Sequence, residues 1–316
     1  STFFKGVAMG AANVIPGVSG GTIALITNIF EDLIDSLKSF NSIAFNLLLN
    51  RQFKALLKHI NFKLLGPVFL GVIVSIFSLA KLFEFLLEQH PKETWSFFFG
   101  LVLASVYYVG KRINRWDYKT YMFFFVGVSI ASFISFANPT PIENTNLIFI
   151  FICGLIGITG MILPGLSGSY ILMLMGNYQL LMVDSINALF DFLRAFLSGE
   201  FDVLIQKPEI SQMLLYFIIF LIGSIVGIIA FARLISFVFK RYTYQTLAVL
   251  TGFVFGSLSI VWPWKKENYD FSKLNRDGEA QIIGFERYLP DLSNISELIV
   301  LSMMIIGIIA IILVEN

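Results

Sequence analysis

Ile15-Pro16-Gly17-Val18-Ser19-Gly20-Gly21-Thr22-Ile23 returns 148 residues later as Leu163-Pro164-Gly165-Leu166-Ser167-Gly168-Ser169-Tyr170-Ile171. Each copy interrupts the middle of an apolar stretch, residues 3–37 in one case and 147–182 in the other. Proline has no N–H and clashes with the preceding helical turn, and glycine accepts backbone that a Cβ would obstruct. Each motif therefore ends one helix, and Ser19 and Ser167 are placed to cap the next. Backbone that leaves the helix at membrane depth must be buried in protein or line a watery cavity.

That the setting is a membrane follows from composition. Of 316 residues, 57% are apolar and 14% charged, with 34 Phe and a mean hydropathy of +0.80. A soluble domain is about 45–50% apolar and about 25% charged, so this chain lacks the polar surface to coat a globule. Disorder, collagen, disulfide scaffolds and nucleic-acid binding are excluded together. The net charge is +1 with Lys and Arg spread through loops, and Cys153 stands alone in an apolar run. His59 and His90 lie in polar loops and cannot form a metal cluster, so neither metal nor cofactor is expected. The chain opens Ser1-Thr2-Phe3, as a trimmed chain would; residues 3–15 mimic a signal-peptide core with Ala11-Ala12, but the second copy of the motif argues against that.

A spanning helix needs about 20 apolar residues. Leu64–Glu88, Trp95–Val109, Tyr121–Ala137, Tyr216–Phe239, Leu247–Trp262 and Leu298–Val314 qualify, the shorter ones with Trp95, Trp262 and Trp264 at the interface. Residues 38–63 and 184–209 are amphipathic and loop-like, and 265–293 form a polar loop. Each broken stretch either crosses once as a kinked helix or returns as a re-entrant hairpin. Residues 38–63 carry Lys38, Arg51, Lys54, Lys58 and Lys63 and no acid, which places them in the cytoplasm. With a hairpin at 147–182, the acidic loop 184–209 stays outside and Lys240-Arg241 fall inside. Two hairpins fit the charge pattern better than two crossings.

A second match, at offset 152, runs without gaps from residues 70–110 onto 222–262, with identities that include Gly71/Gly223, Thr94/Thr246 and Gly100/Gly252. The expected fold is all-α and integral to the membrane: two repeats of inverted topology, each a re-entrant helical hairpin plus two transmembrane helices. The boundaries are repeat one at 3–112, a linker helix at 120–137 and repeat two at 147–264. An extracytoplasmic loop at 265–293 and a C-terminal transmembrane helix at 295–314, ending in the cytoplasm, complete a single domain. Two spans and the linker make three crossings, and an odd number turns the second half upside down. Inverted repeats are a transporter architecture with the site at the repeat interface.

The two tips would present helix N-termini, and their positive dipole ends attract an anion; the alternative is a tight turn held by small residues. Lys81 and Arg233 occupy equivalent places inside apolar spans. A cation at the centre of a span costs about 2.5–3.5 kcal/mol, so such residues face a cavity or partner, unless they snorkel to the nearer interface. Together they point to an anionic head group. Glu31, with Asp32 and Asp35 behind it, is either a solvated helix end or a coupling site that the second half lacks, since Gln179 stands in its place. Asn13, Asn28 and Asn177 are further polar linings.

The paired motifs, with Gly100–Ser105 and the run from Gly252 to Trp264, resemble the bacterial polyprenyl-phosphate transporter family from Lys5-Gly6 to Trp264. The resemblance implies a multi-pass protein of the bacterial cytoplasmic membrane. Its function would be to return undecaprenyl phosphate, the lipid carrier of cell-wall sugars, from the outer to the cytoplasmic leaflet. Carried over as phosphate-binding are Pro16, Gly17, Ser19, Gly20, Gly21, Pro164, Gly165, Ser167, Gly168 and Ser169, with Lys81 and Arg233 as cations from the charge argument. The implied partners are the polyprenyl phosphate and the bilayer, with a homodimer left open and no nucleic acid.

Two rivals belong to other classes. The motif is similar to the Pro-Gly-x-Ser-Arg-Ser-Gly segment of membrane polyprenyl-diphosphate phosphatases, but Gly20 and Gly168 stand where the phosphoryl-clamping Arg belongs. Gly17-Val18-Ser19-Gly20-Gly21 also satisfies G-x-S-x-G, yet no strand precedes it and no His lies at membrane depth. No catalytic residue is expected and the chain is not read as an enzyme. A transporter or channel for a small inorganic anion fits the same helix termini and stays open.

Overall fold

The computed structural model describes residues 1–14, 19–136, 143–198, 208–274, 280–291 and 293–315. Pro16 and Gly17 of the first motif lie outside the described residues. The first half comprises α1 (Thr2–Val14), α2 (Gly20–Ile26), α3 (Phe30–Lys38), α4 (Ser42–Leu49), α5 (Phe53–His59), α6 (Phe62–Gln89), α7 (Pro91–Lys111) and α8 (Tyr118–Phe136). The second comprises α9 (Leu147–Ile162), α10 (Gly168–Leu174), a π-helical turn Gln179–Asp184, α11 (Ser185–Ser198), α12 (Pro208–Arg241), α13 (Thr243–Ser257) and α14 (Ile295–Glu315).

The protein is a helical membrane protein. Among the described residues α8, α12 and α14 are long and apolar enough to cross, and α5 with the start of α6 makes a fourth candidate, bent by 76°. The stretch read as loop at 38–63 instead holds α4 and α5. Asn41 caps α4 through Ile43 N and Ala44 N, and their outer faces expose Phe45, Leu49 and Phe53. The expected span Leu247–Trp262 stops as a helix at Ser257, where the chain turns and buries Trp264.

One element departs from the all-helical expectation. The polar segment after Trp264 forms an antiparallel hairpin of β1 (Lys265–Leu274) and β2 (Ala280–Arg287), registered from Lys265↔Arg287 to Leu274↔Ala280 with two irregularities. Tyr269 and Phe271 on either side of Asp270, and Ile283 and Phe285 two apart with Glu286 beyond, make the period-2 pattern that a loop reading overlooks.

Four packed pairs build the bundle: α1 on α6, α9 on α12, α7 on α14 and α8 on α13. The first two make the same contacts at equivalent residues. A Cβ on Gly6 would collide with the Val68 carbonyl and one on Gly71 with that of Phe3; Gly154 meets Phe220, and Gly223 meets Phe151, in the same way. The other two pairs correspond as well: Gly100 lies on the Met304 carbonyl and Gly252 on that of Phe124. The turns into α7 and α13 are also alike, with φ −135 and ψ 54 at both His90 and Tyr242. Thus α8, read as a linker, packs on the second half, and the C-terminal α14 packs on the first.

Both broken stretches close on themselves. Lys5 Nζ donates to the Thr27 carbonyl at 2.6 Å, so the chain after α2 returns beside the start of α1. Fully buried Asn177 pairs with the backbone of Asn144 at 3.0 and 2.7 Å, bringing the end of α10 beside the approach to α9. Asn28 (φ 58) and Gly176 (φ 81), equivalent by the 148-residue offset, make the left-handed turn that follows each second arm. Glycine takes that backbone freely and asparagine is among the few other residues that tolerate it.

Candidate functional site

Pro164 and Gly165 form a type II turn, with Gly165 at φ 81 and Leu166 N donating to the Leu163 carbonyl at 3.3 Å. A Cβ at Gly165 would stand 2.5 Å from the Phe253 carbonyl oxygen, so this turn lies directly on α13. Ser19, at φ −116 and ψ 136, caps α2 by accepting from Gly21 N at 3.1 Å. Asn13 Oδ1 accepts from Gly20 N at 2.7 Å. The first N–H groups of α2 are therefore engaged inside the protein rather than open. In the second copy Ser167 makes no capping bond; its Oγ lies 2.8 Å from Ser169 Oγ.

The two tips touch. Ser19 Oγ donates to the Met161 carbonyl at 3.0 Å, and Gly165 N donates to Thr22 Oγ1 at 3.0 Å. A Cβ on Gly21 would collide with the Ile162 carbonyl. Ser19, Gly20, Gly21, Thr22, Ser167 and Gly168 are all buried. Polar backbone in this buried place is satisfied by the other broken stretch, as irregular chain inside a bilayer would require. Ser19→Ala removes the cap and the cross-tip bond together, and a thermal melt of the detergent-solubilised chain should register a loss of about 1–2 kcal/mol. An unchanged melt would mean that the tips are held without Ser19.

A cavity of about 380 Å³ opens against the tips, with Asn13, Gly20, Gly21, Met161 and Ile162 in its lining. Its walls, Leu33, Leu37, Val68, Val72, Ile76, Ile158 and Ile228, are apolar and come from both halves. The volume is that of a small-ligand site, and the lining, with Asn13 as its one polar side chain, suits a hydrocarbon chain.

Arg233 is elsewhere. It is exposed on α12 and lines a separate polar mouth of about 540 Å³ with Asp35, Lys38, Ser39, Asn41 and Lys240. Across that mouth Asp35 Oδ2 pairs with Lys240 Nζ at 2.6 Å, Ser236 Oγ donates to Asp35 Oδ1 at 2.6 Å, and Lys38 Nζ donates to Ser236 Oγ at 3.1 Å. Burial pushes the Asp35 carboxyl up, but the bonds from Lys240 and Ser236 outweigh it and hold it below the usual carboxylate range. Lys81 lies within α6. Glu31 is in the first turn of α3, half-exposed, 4.0 Å from Arg112, whose Nη1 donates to the Leu25 carbonyl at 2.9 Å.

The structure thus joins Ser19, Gly20 and Gly21 to the Pro164-Gly165 turn, and does not join Arg233 or Glu31 to them. The sequence reading missed Thr22, Lys5, Arg112, Lys38 and Lys240. Thr22 is matched by Tyr170 in the other copy, so the repeat hides it. The cations look like ordinary loop charges until their partners are known. Among the described residues no group of acids, His and Cys could hold a metal ion.

Residues 9–279 match the family described as undecaprenyl phosphate translocase-like. A polyprenyl-phosphate transporter of Vibrio cholerae serotype O1 is 38% identical over 266 residues, which is 84% of this chain and 78% of the relative. A polyprenyl-phosphate transporter of Staphylococcus aureus is 31% identical over 270 residues, 82% of this chain and 84% of the relative. No solved structure matches the chain. With Ser19 and Thr22 of the first motif bonded to the second motif's stretch beside an apolar cavity, and with likeness over most of its length to two named transporters, the chain belongs to the undecaprenyl phosphate translocase-like family.

Proposed function

We propose that this protein carries undecaprenyl phosphate from the outer to the cytoplasmic leaflet of a bacterial inner membrane, recycling the carrier for envelope synthesis. The single observation that bears most weight is the apolar cavity that the joined tips help to line. A phosphate on a long hydrocarbon tail needs an apolar groove open to lipid, beside backbone whose polar groups a moving tip can expose. The transporter names of both relatives support the cargo.

In this reading α1–α2 and α9–α10 are re-entrant hairpins, and the closures Lys5–Thr27 and Asn144–Asn177 favour that over a kinked crossing. The equivalent contacts of α1–α6 and α9–α12 favour two inverted halves, with α8 and α14 as exchanged third spans. Alternating access then moves the head group past Pro16, Gly17, Ser19, Gly20 and Gly21 on one side and Pro164, Gly165, Ser167, Gly168 and Ser169 on the other. Lys81 and Arg233 serve as its cations, Glu31 is the coupling carboxylate, the β-hairpin is extracytoplasmic and the C-terminus cytoplasmic. The chain acts as a carrier and performs no hydrolysis.

Leaflet exchange of labelled undecaprenyl phosphate in proteoliposomes tests this. Wild type should exchange, and Lys81→Ala and Arg233→Ala should each slow exchange about tenfold or more, as losing a charged hydrogen bond does. Exchange no faster than in protein-free liposomes, under a proton or a sodium gradient, would hand the tips to a small inorganic anion. Release of phosphate from a polyprenyl diphosphate would overturn the assignment to a carrier.

A further inference from the structure

The mouth between α3 and α12 is rich in cations. It brings together Lys38, Arg233 and Lys240 with one carboxylate, Asp35. The formal charge is three positive and one negative, a residue of two positive charges. A phosphate monoester carries about −1.5 to −2 at neutral pH, so the mouth matches it in sign and amount. Asp35 already occupies Lys240 and Ser236, while Arg233 has no ion-pair partner among the described residues. A guanidinium offers a planar fork that grips two phosphate oxygens at once.

The repeat supplies a comparison within the same chain. By the 152-residue offset Arg233, Ser236 and Lys240 correspond to Lys81, Glu84 and Glu88 on α6. By the 148-residue offset Asp35 and Lys38 correspond to Val183 and Ile186. The equivalent positions therefore sum to one negative charge where the mouth sums to two positive. By sequence, the two sets of equivalent positions differ by three unit charges.

We propose that Lys38, Arg233 and Lys240 form a second phosphate station on the side of the cationic segment 38–63, where the head group rests after passing the tips. The inference rests on the polyprenyl-phosphate reading. Because α3 comes from the first half and α12 from the second, the station lies on the seam that moves in alternating access. Tighter binding there does not drive accumulation; it sets the side on which the head group dwells.

Binding of a short-chain polyprenyl monophosphate and of inorganic phosphate to the full chain in detergent, read by calorimetry, tests the station. Lys38→Gln and Arg233→Gln should each weaken the short-chain lipid about tenfold. Lys38→Arg should restore binding, and Lys58→Gln on α5 should change it less than about twofold. A folded Lys38→Gln/Arg233→Gln double variant that binds the lipid like wild type would overturn the station and leave the cargo intact. Inorganic phosphate bound as tightly as the lipid, with the same dependence on Lys38 and Arg233, would keep the station and sink the lipid cargo.

Discussion

Gly165→Ala should abolish leaflet exchange and cost on the order of 2–5 kcal/mol of stability. Two independent penalties add. Gly165 sits at φ 81, where a Cβ is strained, and that Cβ would also stand 2.5 Å from the Phe253 carbonyl on a buried stretch of α13. Left-handed backbone costs an L-residue about 1–2 kcal/mol, and overpacking costs about 1–3. Relief requires the turn to lift from α13, which pulls Gly165 N from Thr22 and parts the tips. Gly110→Ala is the control with the opposite sign. Its Cβ would find its nearest neighbours, Trp116 and Thr251, at 3.6 and 3.7 Å, and helix propensity favours Ala by about 1 kcal/mol. Thermal melts with exchange rates read both variants. A Gly165→Ala protein that melts and exchanges like wild type would mean that the tip contact is not part of the working structure.

The second large effect is expected at Glu297, at the far end of the molecule from the polar mouth. Its buried carboxylate accepts a short bond from Trp264 Nε1 and pairs with Lys92 at 2.9 Å, tying α14, α7 and the root of the β-hairpin together. Lys92 is 43% exposed and regains water if its partner is removed. Trp264 is 1% exposed and cannot. Glu297→Ala should therefore cost about 1–3 kcal/mol, set by the orphaned indole N–H, and the lost side-chain volume adds to it. Glu297→Gln keeps an acceptor of the same size and should cost less than half as much. Equal losses in the two variants would mean that the Lys92 charge, not the Trp264 bond, holds the corner.

The parts of the site that were legible in the sequence are those governed by local backbone chemistry. Proline at 164 and glycine at 165 specify a type II turn, and Ser19 is an N-cap because its hydroxyl reaches N–H groups two residues on. The paired glycines announced themselves through the repeat. Arg233 was flagged because a cation in an apolar run is expensive wherever it points. Its partners were not legible: Lys38 and Lys240 sit near helix ends, where such charges are ordinary, and only folding brings them across one mouth. The free N–H groups expected at α2 are taken by Asn13 and Ser19, a local competition that the motif alone does not reveal.

By itself the sequence determined the membrane setting, the two helix breaks and their register in two copies. Each follows from composition or from the conformational limits of Pro, Gly and Ser within a few residues. Which helix lies on which was decided by tertiary structure. Helices such as α8 and α14 are apolar on every face, so no amphipathic stripe names a partner in advance. In lipid, helix pairing is settled by close packing at small residues, and that is where Gly100 and Gly252 seat α7 on α14 and α13 on α8. The same packing sets the two tips edge to edge and carries Arg233 away from them to the mouth between α3 and α12.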